Sequence, residues 1–225
     1  MGNKRRLFFV TGTDTGIGKT HAACALLRTA AAAGQSALGL KPVASGCTAT
    51  ADGLRNDDAL ALMAASTVRL PYAQVNPFAF AAPLSPHLAA ARDGRTVRVA
   101  QLLGLVRGTL MQARADFTLV EGAGGWRVPL NERETLADFA RDLNAPVLLV
   151  VGLRLGCINH ALLTAEAIRR DGLSLAGWIA NDIDPQMAAR AEVVATLRSA
   201  LGAPLLGELP WGDAGSLLAL PAETA

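Results

Sequence analysis

Short apolar runs punctuate the chain at residues 7–10, 37–40, 117–120, 146–151, 175–180 and 205–209. Apart from Thr118 and Glu208 they are apolar throughout rather than alternating, the pattern of strands covered on both faces in a parallel sheet. Between them lie stretches of helical character near 19–33, 57–65, 98–115, 135–143, 159–171 and 186–201. This alternation predicts an α/β fold, a doubly wound and mostly parallel sheet with helices on both faces. No linker, low-complexity tract or repeat interrupts it, so residues 1–225 are expected to form a single domain. Segment 71–86 carries four prolines and reads as an irregular excursion, a surface flap.

Sheets of this kind bind ligands beyond the C-terminal ends of their strands. The polar and glycine motifs fall there, after Val10, Leu40, Val120, Val151 and Ala180. The first, Gly12-Thr13-Asp14-Thr15-Gly16-Ile17-Gly18-Lys19-Thr20, joins a strand to an alanine-rich helix and reads as a phosphate-binding loop. Its glycines let backbone N–H groups curl around phosphate oxygens, and the following helix points its positive end at them. Lys19 then reaches the β and γ phosphates, and the Thr20 hydroxyl is placed for Mg²⁺. The usual pattern has glycine five residues before Gly18; here Thr13 stands there and Gly12 one step earlier, so the loop is a variant. A P-loop NTPase type of fold and a nucleoside triphosphate ligand are expected.

The remaining motifs divide between chemistry and structure. Lys41, at the end of the second run, can stabilise charge on a phosphoryl group or be a solvated surface lysine. Glu121 ends the third run before Gly122-Ala123-Gly124-Gly125, a carboxylate suited to Mg²⁺ beside backbone that can approach phosphates closely. Asp58 lies near a helix start, where aspartate usually caps. Asn181-Asp182 can pair with a purine edge or make a turn. Pro210-Trp211 can lie near a base or cover the core. Gly156-Cys157-Ile158-Asn159-His160 opens a helix whose N-terminus suits an anion. His21, His87 and His160 have no metal-ligand spacing.

Composition narrows the classes. The 225 residues are 51% apolar and 18% charged, with formal net charge +2. No strong field draws nucleic acid or an anionic membrane. Cys24, Cys47 and Cys157 are an odd, dispersed set, as expected of a reducing compartment. The apolar run at the N-terminus is too short for a signal peptide, and Arg6 breaks the myristoylation pattern. No run reaches membrane-spanning length. A soluble cytoplasmic protein is expected.

In this order the phosphate loop, Lys41-Pro42-Val43-Ala44-Ser45-Gly46, Asn56-Asp57-Asp58-Ala59, Glu121-Gly122-Ala123-Gly124-Gly125, Gly156-Cys157-Ile158-Asn159-His160, Asn181-Asp182 and Gly207-Glu208-Leu209-Pro210-Trp211 resemble the ATP-dependent dethiobiotin synthetases. The resemblance runs from the first strand to Trp211. It implies a homodimeric enzyme of biotin biosynthesis that closes a cyclic urea on 7,8-diaminononanoate with carbon dioxide, ATP and Mg²⁺. The route it implies passes through a carbamate and its mixed anhydride with phosphate. Lys41 would be catalytic, and Thr20, Asp58 and Glu121 would organise Mg²⁺. Nucleotide contacts would come from Gly16, Ile17, Gly18, Lys19, Thr20 and His21 of the loop, and from Asp58. Further contacts would come from Glu121, Gly122, Ala123 and Gly124, and from Asn181, Asp182, Pro210, Trp211 and Gly212. Ser45 would line the substrate site, and Cys157, Ile158 and Asn159 would receive the substrate carboxylate from the partner subunit.

Two other classes share parts of this pattern. Partitioning and septum-positioning ATPases carry a second lysine five residues before the P-loop lysine, where this chain has Asp14. Their membrane-targeting tail is basic and amphipathic, unlike residues 217–225. The amidoligases of cobalamin synthesis add a glutamine amidotransferase domain that 225 residues cannot hold.

Overall fold

The computed structural model describes residues 5–212 and 215–222. The first half of the chain runs β1 (Arg6–Gly12), α1 (Lys19–Ala32), β2 (Ala37–Leu40), β3 (Val43–Ala44), β4 (Thr48–Thr50), β5 (Gly53–Arg55) and α2 (Asp57–Ala65). It continues through α3 (Tyr72–Val75), β6 (Phe78–Ala79), α4 (Pro86–Arg92) and α5 (Val99–Gln112). The second half runs β7 (Phe117–Glu121), α6 (Leu136–Leu143), β8 (Val147–Leu153), α7 (Cys157–Arg170), β9 (Leu175–Asp182), α8 (Arg190–Ala200) and β10 (Leu205–Leu209).

Among the described residues the main sheet has the order β10-β9-β8-β1-β7-β2, and every pair in it is parallel. The expected doubly wound sheet is therefore present, and wholly rather than mostly parallel. β1 is the switch point, because the chain builds one half of the sheet to its β7 side and the other to its β8 side. Loops leaving β1 and its neighbours diverge there and open a crevice.

Successive side chains of β1 serve opposite faces. Phe8 and Val10 pack with α1, whose Ala22, Ala23, Ala25 and Ala30 are fully buried. Alanine favours the helix and lets it lie close to the sheet. Phe9 points the other way, edge-on to Trp126 and Phe139, each with ring centroids 6.1 Å away. α5 and α6 cover that face near β1 and β7, and α7 and α8 cover it over β8 and β9. Each buried large apolar side chain contributes about 1.5–3 kcal/mol to holding these layers together. α6 is fixed at its start by a reciprocal cap between Thr135 and Asp138.

Segment 71–86 is not a surface flap. It forms α3, β6 and the start of α4, and it buries Val75, Phe78 and Phe80 in the core. β6 pairs in parallel with β3, so the segment braces the chain just beyond β2. All three cysteines are free and buried, so they are packing thiols. No helix of the described residues is long and apolar enough to cross a membrane.

Candidate active site

The loop between β1 and α1 needs unusual backbone. Gly16 and Gly18 have φ of +71° and +82°, a region that side-chain-bearing residues avoid. At Gly18 a Cβ would also lie 2.2 Å from Asn181 Nδ2. That contact reflects a clamp: Asn181 Nδ2 donates to the Ile17 carbonyl at 2.8 Å. Asn181 is therefore neither turn residue nor free amide. It is a buried side chain of β9 with one donor committed to the phosphate loop.

Lys19 begins α1 and donates through Nζ to the Asp14 carbonyl at 2.9 Å, which folds the loop into a ring. Its ammonium is pushed down to about 8, by burial first and then by Lys41, with Glu121, Asp58 and Asp14 pulling the other way. Arg154, on the loop after β8, holds Asp14 at 2.6 Å, tying the entrance of α7 to the phosphate loop.

Glu121 is the last residue of β7, beside Val10 of β1, and is 1% exposed. Its Oε1 accepts from Lys41 Nζ at 2.5 Å and from the Thr20 hydroxyl at 2.8 Å. Lys41, 3% exposed, also reaches Asp58 Oδ2 at 2.9 Å and the Gly122 carbonyl at 3.1 Å. It is thus not a solvated lysine. Burial alone would lower its pKa, but Glu121 and Asp58 together outweigh that and hold it above the ordinary lysine value. Asp58 is not a cap either. Asn56 caps α2 by accepting from Ala59 N–H at 3.2 Å, which leaves Asp58 in the first turn, aimed at Lys41. Burial opposes its ionisation, yet Lys41 more than compensates and the carboxyl sits below its usual range.

Glu121 Oε2 is buried with no hydrogen-bond partner among the described residues, a costly arrangement for a carboxylate unless something else satisfies it. Thr20, Asp58 and that oxygen form an all-oxygen donor set of the kind a hard divalent cation takes. Among the described residues no three His, Cys, Asp or Glu side chains converge as a metal cage. A cation here would complete its shell with phosphate and water, as Mg²⁺ commonly does.

Gly16, Gly18, His21, Asn181, Asp182, Pro210, Trp211 and Gly212, together with Ile183, line one cleft of about 460 Å³. The structure thus brings together residues from the phosphate loop and from the ends of β9 and β10. Trp211 is exposed over the cleft, so it does not cover the core. Asp182 is held by Arg190 Nε at 2.7 Å, which stiffens the wall. Ala123 and Gly124 lie half-buried after Glu121, with Gly124 close to Thr15.

The residues expected to take the substrate are dispersed. Ser45 follows β3, half-buried. Cys157, Ile158 and Asn159 open α7, which follows β8. The Cys157 side chain is buried in the core, and its N–H donates to the Arg154 carbonyl at 3.0 Å. Three inter-strand steps separate β8 from β2, roughly 14 Å at the usual strand spacing. Sequence reasoning missed the Asp14–Arg154 pair and the side chains behind Lys41. Asn76 and Tyr72 sit in a proline-rich segment with no periodicity to flag them.

A family model described as an AAA domain matches residues 6–215. The chain is 60% identical over 209 residues to the ATP-dependent dethiobiotin synthetase BioD of Pseudomonas paraeruginosa, covering 92% of this chain and 91% of that one. It is 57% identical over 206 residues to BioD of Cellvibrio japonicus, covering 92% and 90%. Among solved structures, the Aquifex aeolicus MinC:MinD cell division complex matches with a TM-score of 0.58 at 18% identity, over 91% of this chain and 81% of that one. A ParA family ATPase from Chlorobium tepidum matches with a TM-score of 0.54 at 12% identity, over 93% and 86%. At those identities the likeness is one of fold, that of P-loop NTPases. The high-identity relatives decide the family, and the chain belongs to the ATP-dependent dethiobiotin synthetases.

Proposed function

We propose that this chain makes dethiobiotin in biotin biosynthesis, by ring-closing carboxylation of 7,8-diaminononanoate with carbon dioxide and ATP. One amine of the substrate forms a C–N bond to carbon dioxide and loses a proton, giving a carbamate. A carbamate oxygen attacks the γ-phosphorus of ATP, and the bond to the bridging oxygen breaks to release ADP. The second amine attacks the activated carbonyl carbon and loses a proton, and the C–O bond to phosphate breaks. The ring closes and phosphate leaves.

The observation that carries this reading is the buried Lys41, held by Glu121 and Asp58 beside the phosphate loop. Lys19 already serves the bound triphosphate, so a second enclosed ammonium suits charge that develops as the phosphoryl group moves. Preorganisation by two carboxylates keeps it in place before the substrate arrives. Mg²⁺, held by Thr20, Asp58 and Glu121, would supply charge neutralisation at the phosphates. The nucleotide base would occupy the cleft beneath Trp211. Ser45 would line the diamine site on the Lys41 side.

We further propose a homodimer. The opening of α7 lies strands away from Lys41 and Ser45 within one chain, so a second copy is the natural source of the N–H groups for the substrate carboxylate. Ile158 and Asn159 would supply these, since the Cys157 N–H is already engaged. The test is ATP consumption with diaminononanoate and bicarbonate, each also omitted in turn. Dethiobiotin formed in step with ADP supports the reading. ATP hydrolysis indifferent to the diamine, or requiring glutamine, overturns it.

A further inference from the structure

The side chain of Lys41 is fixed by carboxylates, but its main chain is fixed by something the reaction does not call for. Its N–H donates to the Val75 carbonyl at 3.0 Å. Its carbonyl accepts from Asn76 Nδ2 at 2.6 Å, and the same amide nitrogen reaches the Phe78 carbonyl at 3.3 Å. Asn76 Oδ1 in turn accepts from the Tyr72 hydroxyl at 2.8 Å. That hydroxyl accepts from the Asn56 N–H at 2.7 Å. Asn56 caps α2, and the first turn of α2 sends Asp58 to Lys41 Nζ at 2.9 Å.

These contacts close a loop. One route joins Lys41 to Asp58 directly, through ammonium and carboxylate. The other joins the same two residues through their backbones, by way of Asn76, Tyr72 and Asn56. The polarity of the second route admits one arrangement. The Asn76 amide faces two carbonyls with its nitrogen, and turning it over would set oxygen against oxygen. The Tyr72 hydroxyl has one proton, committed to Asn76, and so must accept from Asn56. Asn76 is 3% exposed, and the Tyr72 ring is pinned under the Arg55 guanidinium at 4.3 Å.

We propose that Tyr72 and Asn76 are positioning residues that set the separation between Lys41 and the helix carrying Asp58, and so hold the ammonium on the line of phosphoryl transfer. This rests on the role given to Lys41 above. Their side chains bond to each other and to the backbone of Lys41, Phe78 and Asn56, so each acts through backbone. The reason for such a bracket is the weakness of the direct contact alone. The Asp58 side chain is 46% exposed although Lys41 is buried, and a pair open to water at one end is screened there and holds geometry less firmly than an enclosed one.

Tyr72→Phe removes only the hydroxyl and keeps the ring beneath Arg55. In single-turnover ring closure it should lower the rate about tenfold, since misplacement near 1 Å at a reacting centre can cost about a hundredfold. KM for ATP should stay within about twofold, because the phosphate loop is untouched. Asn76→Asp, which sets an oxygen against Lys41 O, should lower the rate further if it folds. Ser66→Ala is the control. Its hydroxyl is buried at the far end of α2, bonded to Gly39 N–H and Leu62 O, and its loss should cost stability but not rate. In an Asp58→Asn background Tyr72→Phe should cost much less than tenfold, because the bracket then positions an absent partner. An unchanged rate in folded Tyr72→Phe, independent effects of the two substitutions, or an equal loss in Ser66→Ala would overturn the inference. Normal ring closure by Lys41→Ala would instead remove the reading of Lys41 beneath it.

Discussion

Replacing Lys41 with methionine keeps most of the side-chain volume and deletes one charge. Its ammonium holds Glu121 at 2.5 Å and Asp58 at 2.9 Å, so the two carboxylate oxygens are within about 6 Å of each other. Without the ammonium they repel by about 3 kcal/mol at an effective dielectric of 20, less where water reaches Asp58. The free enzyme should therefore lose stability, and part should return with MgATP, whose cation replaces the missing charge. The chemical step should suffer more. Loss of one preorganised charge contact costs about 10²–10³ in rate, roughly 3–4 kcal/mol. Lys41→Arg should restore little, because a planar fork does not fit a pocket shaped around a compact ammonium. Calorimetry gives ATP affinity and rapid-quench single turnover gives ring closure. If affinity falls by the whole factor while ring closure keeps its rate, Lys41 anchors the ground state and the argument fails.

Lys19 gives a pH signature. Its folded-state pKa of about 8 lies below the ordinary 10.5, so its stability contribution is complete above pH 10.5 and is lost as pH falls to about 8. Triphosphate needs the protonated form, so the thermal shift produced by a non-hydrolysable ATP analogue should shrink as pH rises through 8; an unchanged shift in wild type, or an equal decline in Lys19→Met, would contradict this. Gly18→Ala should abolish nucleotide binding, because it forces a Cβ into Asn181 at positive φ; calorimetry showing normal affinity would refute the clamp. Mixing a Lys41→Ala chain with a chain carrying Asn159→Pro, which removes one of the two N–H groups proposed for the substrate carboxylate, should recover activity through hybrid sites. No recovery in verified heterodimers would place a whole site in each chain.

The main sheet was legible because its central strands are buried on both faces and stand out as apolar runs; the edge strand β10, half-buried and carrying Glu208, was the faintest. Helices above two turns declared themselves by period, although α7 begins at Cys157 rather than 159 and α8 at Arg190 rather than 186. The hairpin of β4 and β5 is exposed and carries no apolar alternation, so nothing marked it. In 71–86 the prolines outweighed Val75, Phe78 and Phe80, whose burial depends on β3, more than thirty residues away in sequence. At the site, Thr20 could be placed by the phosphate-loop motif and Glu121 by its strand end and the glycines after it, while the strand end of Lys41 left a solvated lysine equally open. Asp58 could not, because a helix start offers several acidic positions and only the packed structure shows Asn56 taking the cap. Asn181 was ambiguous because its partner is a main-chain carbonyl 164 residues distant, which no local pattern reveals.

The central place of β1 has a consequence for synthesis. Its sheet partners are β7 and β8, and neither exists until translation passes residue 117. At about 5–20 residues per second, β1 waits about 5–20 s after emerging before either neighbour is made. During that interval Phe8, Phe9 and Val10 lie in an unpaired, sticky strand of the nascent chain, the kind of segment that holdase chaperones engage. The phosphate loop that β1 carries has no Glu121 beside Thr20 until the same moment, so the pair that joins the loop to β7 can form only after residue 121 has been made.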